Sequence, residues 1–483
     1  MPGAAASGQG RRRIGLAIGA GLFVLMLALP PPEGLELAPW RVAAVAVLMA
    51  SLWLTEAVPI SVTALLPLVL FPLLGVAPIG AASAPYADPL VFLFLGGFLI
   101  GLAIERWNLH RRIALNVLVR VGAREDLQVG GFMLATAVLS MWVSNTATAL
   151  MMLPVALSVV PRGTDGAVAP GRERFAVALL LSVAYAASIG GLATLVGTPP
   201  NAFLRGYMSQ NFGIEIGFAE WMLIGVPVSV VMLAGAWWLL TGPLFRLGRE
   251  EVPGARDAIR RSLAQLGAAS PAEKRVAAVF MLTAGLWITR PLLDELVPGL
   301  SDTTIAVAGA LLLFVVPSGV ERGRFLLTWD EAERLPWGVL LLFGGGLSLA
   351  GAVSDTGLAA WLGEELEALA GWPVFLLVLT VSVLVIFLTE LTSNLGTTAT
   401  FLPVVTALAV GIGQPPLLLA VPAVIAASCA FMLPVATPPN AIVFASGLLT
   451  VPQMARTGFW LNVLGVVVTV ALVYLLIGPV FGV

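Results

Sequence analysis

Two short polar stretches interrupt long apolar segments, Ser144-Asn145-Thr146-Ala147-Thr148 and Ser393-Asn394-Leu395-Gly396-Thr397. Each is followed downstream by Thr-Pro-Pro-Asn, as Thr198-Pro199-Pro200-Asn201 and Thr437-Pro438-Pro439-Asn440. These residues supply hydroxyls and carboxamides. Proline also removes an amide donor and pushes the residue before it out of α geometry, so backbone carbonyls one turn upstream are freed. Such oxygens suit a desolvated alkali cation, and the N-termini of the half-helices that follow offer amides and a positive dipole end to an anion. None of the four stretches contains Lys, Arg or His. An anion held there therefore needs a counter-charge that the protein does not provide. Sodium bound in the same place would supply it, and the two ligands would raise each other's affinity. The nearest acid, Glu390, reads as a hydrogen-bonding group deep in its segment, or alternatively as a counter-charge to a bound cation.

The four stretches belong to a duplicated unit. Ser144 and Ser393, Pro154 and Pro403, Gly96 and Gly345, and Gly97 and Gly346 each stand 249 residues apart, while the two Thr-Pro-Pro-Asn stretches stand 239 apart. Ser, Thr, Asn and Gly also serve as polar glue between membrane helices, which would explain any one stretch alone. Four stretches in paired register point instead to interrupted helices around a binding site, as in secondary transporters.

The elements that carry them must lie in a membrane. Of the 483 residues 59% are apolar and only 11% charged, against about a quarter charged in soluble domains. The runs supply roughly ten or more spans of ~20 residues, some interrupted. The single Cys429 excludes a disulfide framework or a cysteine metal site and reads as a core residue. Arg11-Arg12-Arg13 before an apolar run imitates a signal peptide but reads as the start of a first helix that stays in place.

Charge placement gives a topology. With spans near 14–31, 39–57, 59–77 and 89–105 and a cytoplasmic N-terminus, all but Arg41, Arg205, Arg290 and Arg456 of the 25 basic residues fall on the cytoplasmic side, as the positive-inside rule requires. The apolar stretch 129–160 has basic flanks on both sides, so it enters and returns as a re-entrant hairpin with its tip near Ser144. Such backbone is tolerated only where it lines a cavity or is buried. The second hairpin enters from the other face, because Glu364, Glu365 and Glu367 flank it and the loop 411–416 carries no basic residue. The repeats are inverted. Residues 245–275, charged and without apolar runs, read as a cytoplasmic linker. His110 falls in the basic stretch 105–120 and is placed at the membrane surface rather than in a proton relay.

Ser144-Asn145-Thr146, Ser393-Asn394, GGLATLVGTPPN at 190–201 and FMLPVATPPNAI at 431–442 resemble the signatures of the divalent anion/sodium symporter family, which includes the sodium-coupled di- and tricarboxylate transporters. The resemblance covers nearly the whole chain. It implies an all-α membrane protein of inverted repeats with two re-entrant helical hairpins and unwound helices, and a homodimer working as an elevator. Scaffold helices would occupy 1–126 and 276–371. The transport domain would comprise 127–244 (hairpin 127–161, broken helix 175–210) and 372–483 (hairpin 372–411, broken helix 415–450).

Carried onto matching positions, the resemblance places one sodium near Ser140, Ser144, Asn145 and Gly197, and a second near Thr389, Thr392, Asn394 and Ala436. Substrate would meet Ser144, Asn145, Thr146, Thr198, Ser393, Asn394, Thr437 and Pro438. Leu395 departs from the pattern, which has a second Thr there, so one hydroxyl contact to a carboxylate is missing. The expected function is sodium-coupled symport of a C4-type dicarboxylate such as succinate into a bacterial cell, by a multi-pass protein of the inner membrane. A sodium-independent exchanger and a sulfate or citrate transporter of the same family are the alternatives, with a sodium/proton antiporter further off. No organic cofactor and no nucleic-acid partner is expected, and no nucleophile–base pair or metal-ligand cluster suggests an enzyme.

Overall fold

A computed structural model describes residues 2–163, 167–293, 296–365 and 371–482. The side chain of Arg11 and residue Glu367, both used in the charge argument, lie outside the described residues. Among these the fold is all-helical, and the only extended pairings are three isolated bridges. Among the described residues eight helices are long and apolar enough to cross a membrane, and five shorter apolar helices accompany them.

The duplication is visible in the elements. One hairpin pairs Glu125–Ser140 with Asn145–Val159, the other Val374–Thr389 with Asn394–Gly411. Their first helices start and stop, and their second helices start, at the 249-residue offset. Each return helix begins where a serine caps it: Ser144 Oγ accepts from Ala147 N at 3.2 Å and Ser393 Oγ from Gly396 N at 3.0 Å, satisfying one of the orphan amides of a helix start. The interrupted helices are Glu173–Gly191 with Pro199–Phe212, and Leu417–Ala427 with Pro438–Phe444. The residues before each Pro-Pro, Thr198 and Thr437, are extended, as the steric demand of the following ring dictates.

The interrupted helices form the centre. Every residue from 175 to 195 and from 419 to 431 is buried, which is what a segment apolar all round requires. Gly190 permits a close helix contact, since a Cβ there would lie 2.4 Å from the carbonyl oxygen of Ala137 in the first hairpin. The hairpins pack against this centre, and Leu37–Thr55, Pro89–Arg106, Pro271–Leu293, Asp302–Val315 and Trp337–Asp355 pack around it.

One feature differs from the sequence reading and two add to it. The span near 59–77 is broken into Ile60–Thr63 and Leu66–Leu73. Pro67 lacks the amide that would have met the Thr63 carbonyl, and the Tyr86 hydroxyl donates to the freed carbonyl of the buried Ala64. The segment read as a linker contains a helix, Ala255–Gln265, whose Ala255, Ala258 and Ile259 are buried, an i, i+3, i+4 stripe within a charge-rich stretch. Arg112 ties its end down through the Gly267 carbonyl at 3.0 Å and a two-point contact with Glu273 at 2.9 and 3.1 Å. His110 is buried within the protein, its Nδ1 3.0 Å from the Ile104 carbonyl.

Candidate functional site

The two hairpin tips and the two unwound loops converge on one cavity of about 910 Å³. Ser144, Asn145, Thr146, Gly197, Thr198, Ser393, Asn394, Ala436, Thr437 and Pro438 all line it, as does Leu395. Ser140, Thr389 and Thr392 do not. They are buried one layer behind the wall.

Ser140 and Thr389 form a matched pair. Ser140 Oγ stands 2.5 Å from Asn145 Oδ1 and 2.6 Å from the Ala187 carbonyl oxygen. Thr389 Oγ1 stands 3.0 Å from Asn394 Oδ1 and 2.9 Å from the Ala427 carbonyl oxygen. A hydroxyl has one proton to donate. Each cluster therefore gathers three oxygens around a single hydrogen, an excess of acceptors that a hard cation relieves. Thr392 is set apart: its hydroxyl is committed within the hairpin, 3.1 Å from the Leu388 carbonyl and 2.6 Å from Thr397 Oγ1. Its backbone and one remaining hydroxyl lone pair are what it can offer to an ion.

Glycine makes the first cluster possible. A Cβ on Gly191 would lie 2.8 Å from Asn145 Oδ1 and 3.0 Å from the Gly197 carbonyl oxygen, so the hairpin tip and the unwound loop meet across bare backbone. The Thr-Pro-Pro-Asn asparagines do something the sequence did not disclose. Asn201 Nδ2 lies 3.2, 3.2 and 2.8 Å from the carbonyls of Gly191, Leu192 and Thr194, and Asn440 Nδ2 lies 3.3 and 3.0 Å from those of Ala430 and Leu433. Several carbonyls of each break are stapled by a side-chain amide, which fixes the shape of each unwound loop and leaves the Gly197 and Ala436 carbonyls outside the staple.

Glu390 is a second such device. Its oxygens accept from Phe431 N at 2.6 Å, Met432 N at 2.9 and 3.0 Å, Leu433 N at 3.1 Å and Asn462 Nδ2 at 2.8 Å. The hydrogen-bonding reading holds. The pseudo-equivalent position is Met141, where the repeat solves the same problem through its backbone: Thr194 Oγ1 donates to the Met141 carbonyl at 2.6 Å and accepts from Gly197 N at 3.0 Å.

The cavity's inner wall carries no basic side chain. Its basic lining residues, Arg12 and Arg334, are exposed at the mouth, near Glu56 and Glu105. What the inner wall offers an anion is hydroxyls, carboxamides and the amide ends of the helices that start at Asn145 and Asn394.

Residues 12–482 match the family described as the sodium:sulfate symporter transmembrane region. The chain belongs to the sodium:sulfate symporter family. Membership makes it a multi-pass integral membrane transporter and not an enzyme. Among its relatives is the sodium-dependent dicarboxylate transporter SdcS of Staphylococcus saprophyticus, 44% identical over 97% of this chain and 92% of that protein. SdcS of Staphylococcus aureus (strain USA300) is 43% identical with the same coverage. Two solved structures share the fold. MtrF of Neisseria gonorrhoeae superposes with a TM-score of 0.60 at 12% identity, covering 95% of this chain and 94% of its own. The YdaH transporter of Alcanivorax borkumensis gives 0.58 at 14%, covering 92% and 98%. The all-helical membrane architecture of this family member is thereby established independently of its sequence motifs.

Proposed function

We propose that this protein is a sodium-coupled symporter that imports a C4-type dicarboxylate such as succinate across the bacterial cytoplasmic membrane. The observation that carries this reading is the pair of acceptor-rich clusters at Ser140/Asn145/Ala187 and Thr389/Asn394/Ala427, each beside a helix N-terminus on a cavity without an internal basic side chain. The SdcS relatives, sodium-dependent dicarboxylate transporters by name, support the choice of cation and anion.

In this reading Ser140, Ser144, Asn145 and Gly197 hold one sodium, and Thr389, Asn394, Ala436 and the Thr392 backbone hold the other. A cation on Oδ1 of Asn145 and of Asn394 fixes each carboxamide with its Nδ2 free to donate. The dicarboxylate then spans the two tips, meeting Ser144, Asn145 and Thr146 at one end, Ser393 and Asn394 at the other, and the helix starts at Thr198, Thr437 and Pro438 alongside. Two monovalent cations neutralise a dianion, so the loaded site crosses apolar surroundings without an uncompensated charge. The hairpins and interrupted helices pack on one another and move together as the elevator body. The cavity, with Arg12 and Arg334 at its mouth, opens here to the cytoplasmic side.

The test is uptake of labelled succinate into proteoliposomes holding the purified chain. Accumulation should require an inward sodium gradient and vanish when choline replaces sodium. Uptake that depends only on internal dicarboxylate, with sodium irrelevant, would establish exchange instead.

A further inference from the structure

Ser188 lies in the first interrupted helix, one residue after the carbonyl that receives the Ser140 hydroxyl and three before Gly191. It is 3% exposed and lines the cavity, yet its hydroxyl has no hydrogen-bond partner. Serines inside helices ordinarily turn back to a carbonyl three or four residues earlier. Ser182 in the same helix does so, with Oγ 2.7 Å from the Leu179 carbonyl. Ser188 does not, and a buried polar atom left without a partner is a cost that a fold keeps where something else uses the atom.

Its position says what uses it. Residues three apart share a helix face, and Gly191 presents its bare face to the Asn145 carboxamide, with Oδ1 2.8 Å and Nδ2 3.1 Å from where a Cβ would stand. The Ser188 hydroxyl thus opens on the cavity one turn from the oxygens of Ser140, Asn145 and Gly197. The second repeat holds a buried counterpart, one that does not line the cavity. Ser428 follows Ala427, the carbonyl that receives Thr389 Oγ1, and it too is buried at 2% with an unpartnered hydroxyl. Two orphan hydroxyls one residue beyond two matched carbonyls are unlike independent accidents of packing.

We propose that Ser188 Oγ is an additional oxygen ligand of the cation at the first hairpin, completing the shell begun by Ser140, Asn145 and Gly197. The proposal rests on the sodium reading of the preceding subsection. A neutral hydroxyl adds a lone pair without adding charge, which suits a site whose partner ligand is an anion. With the cation present the hydroxyl is satisfied. Without it the hydroxyl is a buried liability.

That contrast defines the experiment. The full chain in detergent is unfolded thermally in choline chloride, with sodium chloride titrated in at constant ionic strength and no dicarboxylate present. Wild type should gain stability as sodium is added. Ser188→Ala should unfold in choline at the wild-type temperature or above it, because an orphan hydroxyl has been removed. Its half-effective sodium concentration should rise about tenfold, the change that 1.4 kcal/mol makes. Ser188→Thr, which keeps the hydroxyl, should restore the sodium response. A Ser188→Ala titration that superimposes on wild type overturns the proposal. So does a loss of stability in choline without a sodium shift, which would make the residue structural. So does a shift confined to the succinate response in a parallel titration, which would place the hydroxyl on the substrate. A wild-type protein indifferent to sodium would instead overturn the sodium reading itself, and this assignment with it.

Discussion

The two hairpin tips differ at one residue that lines the cavity. Thr146 and Leu395 stand at matching positions and both line the cavity, so one tip offers a carboxylate a hydroxyl where the other offers a buried isobutyl group. A hydrogen bond to a charged group is worth about 1.5–3 kcal/mol, and the cavity is polar enough to leave a new hydroxyl solvated or bound. Leu395→Thr should therefore lower the half-saturating succinate concentration at fixed sodium, by about tenfold for each 1.4 kcal/mol gained. An unchanged value in an equally stable variant would show that residue 395 takes no part in choosing the anion. Residue types at this scale were legible where they broke an apolar run: Ser144, Asn145, Ser393 and Asn394 announce themselves. Ser188 and Asn201 do not, because a serine in a helix is commonplace and a Pro-Pro-Asn stretch marks a break without showing where the carboxamide turns. Glu390 was conspicuous as an acid in an apolar segment, but its three backbone donors come from residues 431–433, a pairing that no local pattern encodes.

Between elements, the contact that shapes the site is the approach of the first hairpin to the first unwound loop. It depends on Gly191, because any side chain there would press on the Asn145 carboxamide and on the Gly197 carbonyl together. The second of these is backbone in a fully buried loop and cannot swing aside. Gly191→Ala should cost about 1–3 kcal/mol as an overpacked core position does, and should also displace Asn145. The expected outcome is a lowered unfolding temperature together with weakened sodium stabilisation. Gly285→Ala is the control: it sits in Pro271–Leu293 with nothing within 4 Å of its Cβ, and a helix gains from alanine over glycine. If the two variants unfold alike, the close approach does not define the site. Elements whose ends carry proline or a capping serine could be read from the chain, since the chemistry that ends them is local. The helix Ala255–Gln265 and the break between Ile60–Thr63 and Leu66–Leu73 could not. The first buries only one narrow stripe, and the second depends on Tyr86 and on Gly345, whose Cβ would lie 2.1 Å from the Ala64 carbonyl oxygen.

At the scale of the molecule, transport by the proposed importer requires its cavity to open to one side at a time. Asp302 Oδ2 lies 3.1 Å from Arg205 Nη1 and 3.1 Å from Arg290 Nη1. This joins the second half of an interrupted helix to Pro271–Leu293 and Asp302–Val315. Phe203 also stacks on Phe343 with ring centroids 6.5 Å apart, and these contacts between elements are the ones we propose must part when the far side opens. The cavity lining includes the exposed Glu56 and Arg334, which face the cytoplasm in the topology we propose from the charge asymmetry of the chain. Cysteine labelling can check the assignment cleanly, because the one native cysteine, Cys429, is fully buried and should stay silent. Glu56→Cys and Arg334→Cys should react with a membrane-impermeant maleimide in inverted vesicles and not in right-side-out cells. Leu296→Cys, 75% exposed and on the outer side in the proposed topology, should show the reverse. Mouth positions that react from outside would invert the topology and turn the proposed importer's cavity toward the medium. Mouth positions that react from both sides, with Leu296→Cys still one-sided, would show that the Asp302 and Phe203–Phe343 contacts part readily and that the molecule samples both openings without ligand.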